Sequence, residues 1–410
     1  MTKRRQFLLV LILGLLSTIS PFSIDMYLPG FPAIARDLNT TIASVQLSLT
    51  SYFIGIAAGQ MLYGPLLDRF GRKPPLYAGL IVYVLASVGC AFTNSVDALI
   101  AMRFLQAVGG CAGMVSAQAL VRDLFPAEKT AQAFSLMTLV VAISPMIAPT
   151  VGGYMTVAFG WHSLFLLLAV ITFGMIVCVY FYLPVGRRAD PSISLKPVSV
   201  MTNFYTVLKQ PQFLIYTLTG GFAAAAPFAY IAGSADVFMN LYGASPQEYG
   251  WIFAGIAALI IGTTQLNHVF LRKYTSQQVI KFNLIIQSSL GIILLTGTWF
   301  GWYDKVSLVI LIALFLAGHG LTNPNATALA LAPFSKHTGS AASLGGSFRM
   351  TMGGVGSALV SLFYNGTAIP MIAVMTGCVL MGALFLLAGR ITIKYRARMK
   401  DIEEEPSSVL

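Results

Sequence analysis

Charged side chains are scarce in this chain. Only 10% of its 410 residues are Asp, Glu, Lys or Arg, against about 25% in a soluble domain, so there are too few to cover a water-facing surface. Acids are the rarer sign, 14 Asp and Glu against 25 Lys and Arg. Cysteine is sparse too. Cys90, Cys111, Cys178 and Cys378 all fall inside apolar stretches, where they read as small packing residues rather than disulfides or a metal site. His162, His268, His319 and His337 are scattered over different segments, so no metal cluster and no membrane-embedded enzyme is expected. No G-x-x-x-x-G-K-S/T loop occurs. ATP is therefore not the expected energy source, and no cofactor is implied.

What is present is apolar. Hydrophobic residues make up 57% of the chain, and the mean hydropathy is +0.78. A bilayer core of about 30 Å takes roughly 20 apolar residues per helix. Stretches of that kind are expected over 6–28, 43–66, 74–93, 98–122, 132–157, 163–184, 212–238, 246–270, 278–300, 306–330, 341–363 and 369–392. The fold class that follows is an all-α membrane protein of about twelve transmembrane helices. Lys3, Arg4 and Arg5 precede the first run as in a signal peptide, but the run from Phe7 to Tyr27 is long for one. It is read as an uncleaved first helix.

The net charge of +11 does not mark a nucleic-acid binder, because the bases sit in short loops and at the two ends. One side receives Lys3 to Arg5, Arg69 to Lys73, Arg122, Lys129, Arg187, Arg188, Lys196, Lys209, Arg272, Lys273, Lys281, Lys336 and the run from Arg390 to Lys400. The other receives only Arg36 and Lys305. The positive-inside rule makes the first side cytoplasmic, with both termini inside. The longest connection, polar and basic, divides the chain in the middle. The expected units are an N-terminal six-helix bundle over 1–184, a cytoplasmic linker over 185–211, a C-terminal six-helix bundle over 212–392 and a tail over 393–410. Two bundles joined this way suit a rocking transporter.

Ionisable groups in hydrocarbon cost about 2.5–3.5 kcal/mol or more on insertion and persist for a purpose or with a partner. The deep ones here are Asp25, Arg103, His319 and Arg349, with Asp236 and His268 nearer helix ends. Desolvation favours the neutral form of a carboxylate, so Asp25 in a partly dry cavity can take up and release a proton. Arg103, with Gln106 one turn on, is expected to favour release by stabilising that carboxylate. Tyr27, Gln106, His319, Asn323 and Arg349 are the candidate cavity residues. Asn323 and Asn325 flank Pro324, where they supply polar groups to a cavity or satisfy backbone freed by the proline.

The loop between the second and third spans reads Gly64-Pro65-Leu66-Leu67-Asp68-Arg69-Phe70-Gly71-Arg72-Lys73. It resembles the G-x-x-x-D-R-x-G-R-R/K signature of the major facilitator superfamily at every fixed position, and Asp123 resembles the third member of that charge cluster. In the fifth span, Pro145, Pro149, Gly152 and Gly153 resemble the antiporter motif of drug exporters, with Ala148 in place of a glycine. Arg103 and Gln106 resemble the R-x-x-Q-G motif, with Ala107 for its glycine. Ser23 to Pro29 with Pro32, and Ser340 to Arg349, resemble the bicyclomycin-resistance (Bcr/CflA) family of twelve-helix drug:proton antiporters, whose likeness covers essentially the whole chain.

The resemblance implies the major facilitator fold and proton-coupled efflux of drugs or other small molecules, antibiotics included. A nutrient symporter or a metabolite exporter on the same fold is the rival reading. The partners implied are small-molecule substrates, protons and membrane lipid, with no nucleic acid, and the protein is expected to work as a monomer. Asp25 and Arg103 are assigned to proton coupling. Gly64, Asp68, Arg69, Gly71, Arg72, Lys73 and Asp123 are assigned to an inner gate, where Gly64 is expected to permit close helix approach.

Overall fold

The computed structural model describes residues 3–186, 189–190, 197–334 and 338–404. Arg187, Arg188, Lys196 and Lys336, four of the bases used above for orientation, lie outside the described residues. In the first half the helices are α1 (Lys3–Asp25), α2 (Phe31–Asp37), α3 (Ile42–Phe70), α4 (Lys73–Ala91), α5 (Val96–Leu124), α6 (Ala127–Phe159) and α7 (His162–Tyr182). A short α8 (Pro197–Leu208) follows within the central connection. The second half holds α9 (Pro211–Ala235), α10 (Pro246–Phe270), α11 (Ser276–Trp299), α12 (Lys305–Ala317), α13 (His319–Leu331), α14 (Thr338–Leu362) and α15 (Ile369–Glu404).

Among the described residues, 11 segments are long and apolar enough to cross a membrane. The helix α14 is long enough as well, at 25 residues, but its many Gly and Ser residues keep it less apolar. With it the count meets the expected architecture. Three details differ from expectation. The first helix stops at Asp25, and a buried 3₁₀ turn, Leu28–Gly30, passes into α2. Pro29 and Pro32 lack the amide hydrogens that a continuous helix needs there. The tenth span is two helices that meet at Gly318. The last helix continues past residue 392 as far as Glu404.

Each half packs within itself, with α3 and α4 on α5 and α1 on α6 in the first, and α15, α14 and α13 on α9 in the second. The halves meet along two seams, α3 with α14 and α6 with α10. Small residues make these close approaches possible, as membrane helices without a hydrophobic driving force require. Hydroxyls stitch the first seam along its length. Ser361 Oγ donates to the Ala43 carbonyl at 2.7 Å, Thr50 Oγ1 to Ser357 Oγ at 2.8 Å, Ser347 Oγ to the Ala57 carbonyl at 3.0 Å and Ser343 Oγ to the Gln60 carbonyl at 2.9 Å. At the face opposite the termini, the outer one under the orientation expected from loop charge, the turn after α1 closes the gap between the halves. Met26, Tyr27, Leu28 and Phe31 are wholly buried there, and the turn touches α6, α9 and α10.

Candidate functional site

Asp25 is the last residue of α1 and is 4% exposed. No hydrogen bond or ion pair reaches its carboxyl among the described residues. Tyr230 of α9 and Tyr249 of α10, both from the other half, lie within electrostatic range of it. Tyr249 in turn shares a hydrogen bond of 2.8 Å with Ser234. The carboxyl thus sits at the seam of the two halves, beneath the closed outer turn.

Arg103 on α5 is wholly buried. Its guanidinium carbon lies 4.1 Å from the ring centre of Tyr52, 4.6 Å from that of Tyr27 and 5.7 Å from that of Phe165. Nη1 donates to Gln106 Oε1 at 2.6 Å, and Nη2 to the backbone carbonyl of Ser23 at 3.0 Å. Gln106 Nε2 continues the chain to Ser87 Oγ at 2.7 Å. The hydroxyls of Ser23 and Tyr83 bond to each other, and those of Tyr27 and Ser48 do so at 2.8 Å. A desolvated cation over an aromatic face gains about 2 kcal/mol, so this cage holds a positive charge without an acid.

No ion pair joins Arg103 to Asp25 among the described residues. Arg103 instead serves the last turn of α1, where helix carbonyls run out of amide partners. Ser23 offers one such carbonyl, two residues before Asp25. Ser23, Tyr52, Tyr83 and Ser87 were not legible as parts of this cluster. Ser23, Tyr52 and the Tyr83–Ser87 pair sit on three different apolar runs, α1, α3 and α4, and only packing brings them together.

In the second half the polar centre is the break at Gly318. Asn283 Nδ2 donates to the Gly318 carbonyl at 2.8 Å and to Thr322 Oγ1 at 2.7 Å. Gln287 Nε2 donates to the Phe315 carbonyl at 2.9 Å, and Thr263 Oγ1 to the Ala317 carbonyl at 2.8 Å. Side chains thus satisfy the backbone that the broken helix frees, as a hydrocarbon setting demands. Asn283 and Gln287, one turn apart on α11, carried a usable sequence signal, two amides flanking the apolar Leu284-Ile285-Ile286 within a membrane span. Arg349 on α14 donates from Nη1 to Asn323 Oδ1 at 2.9 Å and to Thr327 Oγ1 at 2.7 Å. His319 is one turn before Asn323 on α13, and its Nδ1 is buried with no partner among the described residues. Asn325 Nδ2 bonds Asn267 Oδ1 at 2.7 Å. No hydrogen bond or ion pair joins the Arg349 group to the Arg103 group among the described residues.

The inner loop forms a compact ion network. Arg72 donates from Nε to Asp123 Oδ2 at 2.7 Å and from Nη1 to Asp68 Oδ1 at 2.8 Å. Asp68 is near the end of α3 and Asp123 near the end of α5, so the network ties helices of one half. Burial disfavours the Arg72 charge, but its hydrogen bonds to Asp123 and Asp68 and their negative charge outweigh this and raise its pKa. Gly71 has φ of 81°, a conformation that side chains rarely adopt. Arg69 and Lys73 flank it. Gly64 differs from expectation. A Cβ there would meet nothing within 4 Å, so it serves no close helix contact. It precedes Pro65 inside α3, where a side chain would clash with the proline ring in a helical conformation.

The proline-glycine run of α6 carries Pro145 and Pro149 within the helix. A Cβ on Gly152 would strike the backbone carbonyl of Met26, and one on Gly153 would come within 2.6 Å of the Pro246 carbonyl. These neighbouring glycines let α6 touch the turn after Asp25 on one side and the start of α10 on the other. Both motif and proton-site candidate therefore converge on the same outer seam.

Comparisons with known proteins agree with this architecture. The sequence profile of the Major Facilitator Superfamily matches residues 13–361. A bicyclomycin resistance protein homolog of Haemophilus influenzae is 33% identical over 93% of this chain and 96% of its own length. Multidrug resistance protein D of Escherichia coli strain K12 is 28% identical over 88% of this chain and 90% of its own. Among solved structures, a bacterial homolog of the human lysosomal transporter Spinster superposes with a TM-score of 0.75 at 15% identity, covering 96% of this chain and 99% of that one. The chain belongs to the major facilitator superfamily, is a transporter rather than an enzyme, and falls with the bicyclomycin-resistance proteins.

Proposed function

We propose that the protein exports antimicrobials such as bicyclomycin in exchange for protons entering the cell, with Asp25 as a proton carrier. The observation that carries this reading is the place of Asp25: buried, with no ion pair among the described residues, and within electrostatic range of Tyr230 and Tyr249 of the other half. A carboxyl there changes surroundings whenever the halves rock, and so can bind a proton in one state and lose it in the other. The kinship with resistance proteins supports a drug as the cargo. Arg103 positions the end of α1. Arg349, Asn323, His319, Tyr27 and Gln106 line the route of the substrate. The Arg72 network stiffens the inner end of the first half, and its exchange of partners gates that face. The bundles divide at the connection 185–211, both termini are cytoplasmic, and the working unit is a monomer in the inner membrane.

Fixed positive charge at Arg103 and Arg349 disfavours permanent dications as cargo and favours neutral or weakly charged drugs. The test is a resistance panel in cells stripped of their own exporters. The chain should raise resistance to bicyclomycin or another neutral drug. Asp25→Asn, nearly isosteric, should be made at normal levels and give none. Resistance retained by Asp25→Asn would remove Asp25 from the coupling.

A further inference from the structure

The helix α13 carries a polar stripe on one face. His319, Asn323 and Thr327 recur one turn apart, a spacing that puts side chains on the same side of a helix. Arg349 of α14 reaches across to this stripe, where its Nη1 donates to Asn323 Oδ1 at 2.9 Å and to Thr327 Oγ1 at 2.7 Å. These side chains are only half-buried. An arginine left partly open within a membrane faces water rather than hydrocarbon. The neighbours of α13 are α9, α10, α11, α12 and α14, and no helix of the first half packs closely on it. The opening beside Arg349 therefore lies toward the passage between the halves.

Arg349 is held differently from the other deep arginine. Arg103 lies against aromatic rings and serves a backbone carbonyl. Among the described residues no ring lies over Arg349, no acid pairs with it, and its Nε and Nη2 have no hydrogen-bond partner. Nε and Nη2 form one edge of the guanidinium, with parallel N–H bonds that match the two oxygens of a carboxylate. The groups around that edge are short of acceptors. Asn323 Oδ1 and Thr327 Oγ1 are already taken by Nη1. Asn323 Nδ2 has no partner among the described residues, and neither ring nitrogen of His319 has one. His319 is within electrostatic range of Arg349. A cation withdrawn from water with its fork unpaired is costly, and a ligand that brings the missing anionic acceptor removes that cost.

We propose that Arg349 recognises a carboxylate on the exported molecule, gripping both oxygens through Nε and Nη2, with Asn323 and His319 beside it. The cargo class is then a small carboxylic acid of low net charge, a zwitterion or a monoanion. This rests on the export reading above and names the cargo of the same site. Its test needs no transport, so failure of export and failure of this proposal are told apart. Purified protein in lipid nanodiscs is dialysed to equilibrium against matched pairs of a drug acid and its methyl ester, with nalidixic acid and norfloxacin as the acids. Empty nanodiscs correct for partition into lipid. At least one acid should bind about tenfold or more tightly than its ester, which has lost the charge and has one oxygen blocked. Arg349→Gln should bring the acid down to the affinity of the ester. Arg349→Lys keeps the charge but not the fork, and should recover only part of the difference.

Acids that bind no more tightly than their esters overturn the proposal while leaving export of bicyclomycin intact. A preference that survives Arg349→Gln, or native affinity in Arg349→Lys, overturns the assignment to the arginine fork. Should Arg349→Gln fail to fold, Asn323→Asp decides. It is nearly isosteric and supplies, where Nη1 is already bound, the acid that Arg349 lacks. The preference for the acid over the ester should then disappear. A preference equal to that of the native protein refutes the proposal.

Discussion

Arg103 is a buried cation whose partners are rings, an amide and a carbonyl rather than an acid. Its shape matters as much as its charge, because the planar fork serves Gln106 and Ser23 while its faces meet aromatic rings. Lysine keeps the charge but cannot reproduce that geometry. Arg103→Lys should therefore destabilise the protein by about 3 kcal/mol, within the range for breaking buried charged networks. Thermal unfolding of the purified variant in lipid reads this, and an unchanged midpoint would reduce the cage to incidental packing. Arg103 and Gln106 were legible as deep polar residues one turn apart. That Ser23 receives the guanidinium was not, since the contact spans 80 positions of sequence.

At the scale of helices, α6 and the tenth span show how polar backbone and small residues are used. Gly153 faces the Pro246 carbonyl, whereas a Cβ on Gly174 of α7 would meet nothing within 4 Å. Gly153→Ala should force α6 away from α10 and slow transport by about tenfold or more, a change of roughly 1.4 kcal/mol in the barrier. Gly174→Ala should leave transport unchanged. Equal rates in the two variants, measured in vesicles at matched expression, would show that the seam tolerates separation. For the tenth span, Asn283→Ala leaves the Gly318 carbonyl without its donor and should cost about 1–3 kcal/mol of stability, read as a lower unfolding midpoint. The proline and glycine signature of α6 was visible in the sequence. The break at Gly318 was hidden, because the residues that make it tolerable come from α10 and α11.

For the whole molecule, the arrangement of bases predicts where the ends lie. A reporter active only in the cytoplasm should work when fused after Leu410 and be silent when fused after Asp304. Activity at both sites would contradict the proposed orientation. Exchange of a neutral drug for inward protons moves net positive charge inward. Transport in proteoliposomes should therefore respond to an imposed potential at equal pH on both sides, with roughly 2.3 kcal/mol available per charge per 100 mV. A response to pH alone would contradict electrogenic exchange.

By itself the sequence determined the membrane class and the number of long helices within one, and it singled out Asp25 and Arg103, both of which are buried. These follow from local quantities, namely apolar length, loop charge and the rarity of ionisable residues in hydrocarbon. Only tertiary structure decided that Arg103 cages on Tyr52 and Tyr27 and binds the Ser23 carbonyl, that Gly64 eases Pro65 rather than a helix contact, and that Asp25 and Asp236 occupy matching ends of α1 and α9. The reason is geometric. A helix repeats its faces every 3.6 residues, but which face meets which neighbour depends on packing against helices that are distant in the chain.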